Sequence, residues 1–221
     1  EAILVDRLID RSIRPRFDMR MRNEVQVVVT VLSIDDQNDP DIPSLLAASL
    51  ALSLSDIPWQ GPIAAVRVGE KDGKFVLNPL YEDRGGFDLD LVISGTKDRI
   101  NMIEAGADEI SEEKFFEAVD WGYKFLKELI NFQKSIISEN QKEKADIKTF
   151  EAPKELRALL KKDFSSKIET AVYQKEKKAA NEMTAAALGE WLLKAAENFP
   201  DAFQKNVAEY LFNEEINEII H

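Results

Sequence analysis

The polar stretch SENQKEKADIKTFEAP, residues 138–153, divides the chain into halves built on different periodicities. Before it, apolar residues alternate as in strands in some segments and recur every three or four residues in others; beyond it only the helical period is found. A stretch so rich in Ser, Glu, Lys and Asn has little apolar surface to bury, so one continuous core does not run through it. The expected fold class is α+β: a mixed domain over 1–140 followed by a small all-α bundle over 141–221.

In the first half, RLIDRSIRPRF brings Arg7, Arg11, Arg14 and Arg16 together, with Arg20 just beyond. At about 100° per residue, Arg7, Arg11 and Arg14 fall within an arc of roughly 60° on a helix over 3–14, with Leu4, Val5, Leu8, Ile9 and Ile13 expected on the buried side and Pro15 stopping the helix. NEVQVVVTVLSID reads as a long, largely buried strand over 23–35. Asp39-Pro40-Asp41 opens a helix over 42–55 with Pro43 in its first turn. GPIAAVRVG and KFVLNP read as a hairpin around EKDG, FDLDLVISGT as a further strand, and the spacing of Phe115, Val119, Tyr123, Leu126 and Ile130 as a long helix from Ser111 to about Ser138. Beyond 153 the pattern predicts helices over 155–162, 165–174, through Trp191 to 196, and 202–220, with breaks at Asp163 and Asn198-Phe199-Pro200.

The formal net charge of −12 argues against general affinity for nucleic acid, yet the distribution leaves a local site open: six arginines face four acids in residues 1–22, while residues 198–221 are strongly acidic. The chain has no cysteine, and its single histidine is His221, which argues against thiolate catalysis, a cysteine-ligated zinc and a Ser-His-Asp triad. No apolar run approaches the roughly 20 residues of a membrane span, and EAILVDR lacks the features of a secretory signal, so an intracellular protein is expected. For the arginines themselves two readings stand: a row offered to phosphates, or a solvated face neutralised by Asp6 and Asp10 through pairs such as Asp10 with Arg7 and Arg14.

RLIDRSIRPRF resembles the RLIDRxIRPLF signature of the bacterial polynucleotide phosphorylase family, in the first of its two cores of ribonuclease PH type (ribosomal protein S5 domain 2-like). The following strand, the NDPDIP turn, the alanine- and serine-rich helix, the SDIPWQGPI turn, and then FVLNP, DLDLVISGT and MIEAGADEISEE are similar to that core in order and spacing. Residues after about 145 look like the family's all-α linker domain. Ser12 stands where the family usually has proline, and Arg16 and Asp18 replace its LFP ending. On the resemblance the chain is expected to be a fragment, its first core incomplete at the N-terminus and its second core absent.

The resemblance implies a phosphorolytic 3′-to-5′ exoribonuclease that converts RNA and inorganic phosphate reversibly to nucleoside diphosphates in mRNA degradation. It further implies a cytoplasmic homotrimer that binds single-stranded RNA, has partners in RNA-degrading complexes and does not associate with membranes. Mg2+ and phosphate are expected in the second core, not here. Arg7, Arg11 and Arg14 carry over as RNA or phosphate contacts. Asp88 and Asp90 stand where the second core has its metal-binding segment, with Glu82 and Asp83 near; two carboxylates at i and i+2 of a strand share a face, as a magnesium site requires. Against catalysis here, Pro43-Ser44-Leu45 stands where the active core has a serine-rich phosphate-binding run. The alternative is a non-catalytic RNA-binding or scaffolding subunit of an exosome-like ring.

Overall fold

The computed structural model describes residues 2–149, 151–200 and 203–221. They form two compact units, residues 1–149 and 150–221. In the first, α1 (Ala2–Ile13) runs into a single 3-10 turn at Arg14–Arg16, where Pro15 has no N–H to continue the helix. Next come α2 (Asp41–Leu54), β1 (Ala64–Lys71), β2 (Lys74–Leu77), the short α3 (Tyr81–Arg84), β3 (Leu89–Gly95), β4 (Ile100–Ala107) and α4 (Glu112–Asn140).

The four strands make one antiparallel sheet in the order β2-β1-β3-β4. β1 and β2 meet at a two-residue Asp72-Gly73 turn with positive φ at both positions, 52° and 77°, the geometry a tight hairpin requires. Alternation then assigns the faces. Ala64, Val66, Val68, Leu89, Leu91 and Ile93 pack on α4, while Ala65, Val92 and Met102 pack on α1 and α2. Gly122 lets α4 sit close to the sheet, since a Cβ there would lie 2.7 Å from Val68 Cγ2. Ser111 caps α4, its hydroxyl accepting from the Lys114 N–H at 3.2 Å.

Two expectations for this unit are corrected. Residues 23–35 form no strand and join no ladder, and most are exposed, Leu32 at 92%. Valine-rich sequence favours extended backbone, but a strand exists only beside a hydrogen-bonding neighbour, and among the described residues none lies there. Only Val25 and Val27 pack on the core formed with α1 and α2. Leu4, expected on the buried side of α1, is 62% exposed. On the helical wheel it falls beside Arg7 and Arg11, whereas Leu8, Ile9, Ser12 and Ile13 form the buried side. β4 went unread because INMIEAGA is poor in the β-branched and aromatic residues that announce strands.

The second unit contains α5 (Lys154–Val172), α6 (Lys177–Asn198) and α7 (Lys205–Ile220). Leu156, Leu160, Phe164 and Ile168, one turn apart along α5, meet Trp191 of α6 and Leu211 and Phe212 of α7. The fully buried Trp191 places its indole N–H on the Ala208 carbonyl at 2.9 Å. The break expected at Asp163 is absent: α5 continues through it, and Lys194 of α6 holds the carboxylate at 2.5 Å. Aspartate costs only a few tenths of a kcal/mol more than better helix formers, which the ion pair and the packing of α5 offset. The expected last helix is found from Lys205; its proposed start, Ala202, lies outside the described residues.

Candidate nucleic-acid interface

Helix α1 presents three flanks. Leu8 lies near Val92 and Ser12 meets Ser94 of the sheet; Ile9 and Ile13 share a trough with Val25 and Val27; Arg7, Arg11 and Arg14 are exposed on the third. Ser12, in the middle of the buried side, is accommodated by polar partners. Its hydroxyl donates to the Leu8 carbonyl at 2.8 Å, its carbonyl accepts from Asn101 Nδ2 at 2.7 Å, and the Ser94 hydroxyl shares its one proton between Ser12 Oγ and Asn101 Oδ1.

The end of the helix is clasped from a distant turn. Trp59 Nε1 donates to the Ile13 carbonyl at 3.0 Å, and the Trp59 ring lies 6.3 Å from that of Phe17. The Gln60 N–H donates to the Arg16 carbonyl, and Arg16 Nε donates to the Gln60 carbonyl at 2.7 Å. Arg16 therefore belongs to the scaffold rather than to the exposed row.

Charges along the row are graded. The Arg7 side chain makes no hydrogen bond or ion pair with any described residue. Arg11 Nη1 stands 3.7 Å from Glu104 Oε2 of β4, an ion pair longer than a hydrogen bond, with the two side chains 56% and 52% exposed. Arg14 donates from Nε at 3.0 Å and from Nη2 at 2.6 Å to the carboxylate of Asp10, and these hydrogen bonds, then the charge of Asp10, raise its pKa above the ordinary arginine value. Of the two local pairs expected of Asp10, the one with Arg14 forms and the one with Arg7 does not.

A trough of about 770 Å3 lies on the other side of α1, against residues 21–31. Val5, Ile9, Phe17 and Val27 give it apolar walls, and Asp6, Asp10 and Asp18 lie along it with Arg14 and Arg22. Arg7 and Arg11 do not line it.

The carboxylates of FDLDL are differently disposed. Asp90 lies on the α1 side of the sheet, one diagonal step from Arg67, because Arg67 pairs in register with Val92 and Asp90 with Gly69. Arg67 Nη1 donates to both oxygens of Asp90 at 2.7 Å, and its Nη2 donates to Asp41 at the start of α2. Asp39 accepts from Arg84 of α3 at 2.7 Å. Burial lowers the pKa of Arg67, but the charge and hydrogen bonds of Asp41 and Asp90 outweigh it and the net shift is upward. Asp88 is exposed ahead of β3; Glu82 and Asp83 are exposed on α3. Among the described residues no group of three or more His, Asp or Glu side chains is arranged to hold a metal ion. With Asp90 held by Arg67, Asp88 and Asp90 do not offer magnesium a shared set of free oxygens. Ser44 and Leu45 are buried in the first turn of α2, where the Ser44 N–H bonds to the Pro40 carbonyl.

Sequence reasoning did not single out Glu104, Arg67 or Asp39. Arg67 carried a usable signal, since an arginine inside the apolar run IAAVRVG needs a buried acid, and Asp39 and Asp41 flank a helix start.

No helix of the described residues is long and apolar enough to cross a membrane. Two family models match the first unit: the 3′ exoribonuclease family, domain 1, over residues 1–58, and the same family's domain 2 over residues 61–124, together more than half of the chain. Similar proteins include the polyribonucleotide nucleotidyltransferases of Geobacillus kaustophilus, 48% identical over 81% of this chain and 25% of its own length, and of Streptococcus gordonii, 42% identical over 99% of this chain and 31% of its own. The chain thus spans between a quarter and a third of the length of these relatives. A crystal structure of rice Rrp46 overlays 46% of this chain and 48% of its own at a TM-score of 0.41 and 16% identity. With both of the family's domain models following one another along its first unit, the chain belongs to the 3′ exoribonuclease family.

Proposed function

We propose that this chain is part of a polyribonucleotide nucleotidyltransferase, a phosphorolytic 3′-to-5′ exoribonuclease acting on single-stranded RNA in mRNA degradation. In this reading it supplies ring structure and RNA contacts within a cytoplasmic homotrimer and its RNA-degrading complexes. Magnesium and the reacting phosphate bind to residues other than its own. The carrying observation is the row of exposed arginines on a helix whose opposite side is anchored by Leu8, Ile9, Ser12 and Ile13. Arginine suits this role because its planar fork meets phosphate oxygens in two bonds and keeps its charge at every physiological pH. The order of availability is Arg7, then Arg11, then Arg14.

The test is to replace Arg7 and Arg11 by alanine in the protein as its gene encodes it. Affinity for single-stranded RNA should fall without sequence preference, and the slope of log K against log salt should flatten by about 0.7 for each phosphate no longer gripped. The melting temperature should hardly move, since both side chains are exposed. Unchanged affinity with a destabilised protein would defeat this reading and make the arginines structural.

A second reading is a non-catalytic RNA-binding or scaffolding subunit of an exosome-like ring, with which the Arg67–Asp90 pair agrees as well as it does with the first. A phosphorolysis assay on the gene-encoded protein separates the two, nucleoside diphosphate release supporting the enzyme and RNA binding without release the scaffold.

A further inference from the structure

β4 is an edge strand, and its register places Met102 opposite Ser94, Glu104 opposite Val92 and Gly106 opposite Asp90. Val92 and Met102 belong to the core beneath α1, so alternation carries Glu104 to the same side of the sheet, beside the arginine row. It reaches Arg11 from a separate element, unlike Asp10, which holds Arg14 from the preceding turn of the same helix. At 3.7 Å with both side chains more than half exposed, the pair is too long for a hydrogen bond and weak enough for a phosphate group, which offers two acceptor oxygens, to replace it. Glu104 would then remain next to the bound phosphate, like charge beside like charge.

We infer that Glu104 is a competing counter-ion for Arg11: it occupies the guanidinium when no phosphate is bound and weakens the phosphate interaction when one is. This rests on the reading of the arginine row as an RNA contact. The fold then grades the row, with Arg7 open, Arg11 opposed by one displaceable carboxylate and Arg14 closed by Asp10. Attenuation of this kind shortens residence of the strand at Arg11, since a nearby like charge acts on both the encounter and the dissociation of a polyanion.

The experiment is a double-mutant cycle between Glu104→Gln and Arg11→Ala in the gene-encoded protein, measured by binding of a labelled single-stranded oligoadenylate at low and moderate salt, with Arg7→Ala as the control for the underlying reading. Glu104→Gln should tighten binding by about two- to fivefold, more at low salt, and should have no effect once Arg11 is alanine. Its melting temperature should match the parent, because Glu104 is exposed on an edge strand; Glu104→Ala serves as a second variant of the same prediction. If Arg7→Ala weakens binding while Glu104→Gln leaves it unchanged, lowers it, or raises it equally without Arg11, the inference about Glu104 is wrong and the arginine row stands. If neither Arg7→Ala nor Arg11→Ala weakens binding, the row itself is not an RNA contact and both fall.

Discussion

Trp59 Nε1 donates to the carbonyl of Ile13, 46 residues earlier, at 3.0 Å, so the last turn of α1 is closed by a side chain from the turn after α2. The Ile13 carbonyl, which as N-cap of the 3-10 turn also starts that turn's backbone bonding, takes a second donor there, inside the core. Trp59→Phe keeps most of the ring and loses the donor. It should lower the unfolding free energy by about 1 kcal/mol, read from urea denaturation, because one buried hydrogen bond is lost while the carbonyl keeps its bond in the 3-10 turn. Gly61→Ala should be worse, since a Cβ there would stand 1.9 Å from Trp59 Cζ3. A parent-like midpoint for either variant would show that the clasp does not hold the helix.

Arg67 joins α2, β1 and β3 through Asp41 and Asp90, with its own side chain 14% exposed and that of Asp41 only 4%. Arg67→Met should cost about 3–5 kcal/mol, most of it from leaving the Asp41 carboxylate buried without its cation. The double change Arg67→Met with Asp41→Asn should recover part of that loss, as removing both members of a pair does. A purely additive double variant would mean the two residues are not coupled.

Acid should weaken the first unit through Asp39. Burial pushes this carboxyl up, but the hydrogen bond from Arg84, the N–H of Asp41 and the charges of Arg84 and Arg67 outweigh it and hold it below the ordinary carboxylate range. Asp18 is held low as well, first by its hydrogen bonds from Arg20. A folded pKa below the unfolded value of about 3.9 gives stability that is complete above that value and is lost as pH falls through the folded pKa. The urea midpoint should therefore be flat near neutrality and decline below about pH 4. Arg84→Leu should flatten the decline, and an unchanged slope in that variant would assign it to other carboxylates.

Lys144 caps α2 from beyond α4. Its Nζ donates to the carbonyls of Leu52, Ser53 and Ser55 at 3.1, 3.0 and 2.7 Å, while the Ala145 N–H bonds to the Asp56 carbonyl. The first part of the polar stretch is thus tied to the first unit. Limited proteolysis should cut the parent within 146–153 before it cuts either unit, and Lys144→Ala should open 138–145 to cleavage as well. First cleavage inside α5 or α4 would contradict this account.

Much of the architecture was legible because its determinants are local. The period of Leu8, Ile9 and Ile13, the Pro15 stop, the Ser111 cap and the Asp72-Gly73 turn each act within a few residues, and each element formed where its signal stood. The sequence by itself also determined that arginines gather on one exposed flank of α1, since helical geometry alone aligns Arg7, Arg11 and Arg14. The pairing of Arg14 with Asp10 is local too, but only the tertiary structure decided that Arg11 has a counter-ion and Arg7 has none among the described residues. Glu104 reaches Arg11 because β4 pairs beside β3, and Arg67 takes Asp90 because β1 pairs with β3 in one register. The same dependence on distant partners explains residues 23–35, whose valines favour an extended backbone but cannot supply the neighbouring strand a ladder needs. Conformational preference is a property of a segment, whereas pairing, of backbones or of charges, is a property of what the fold brings alongside it.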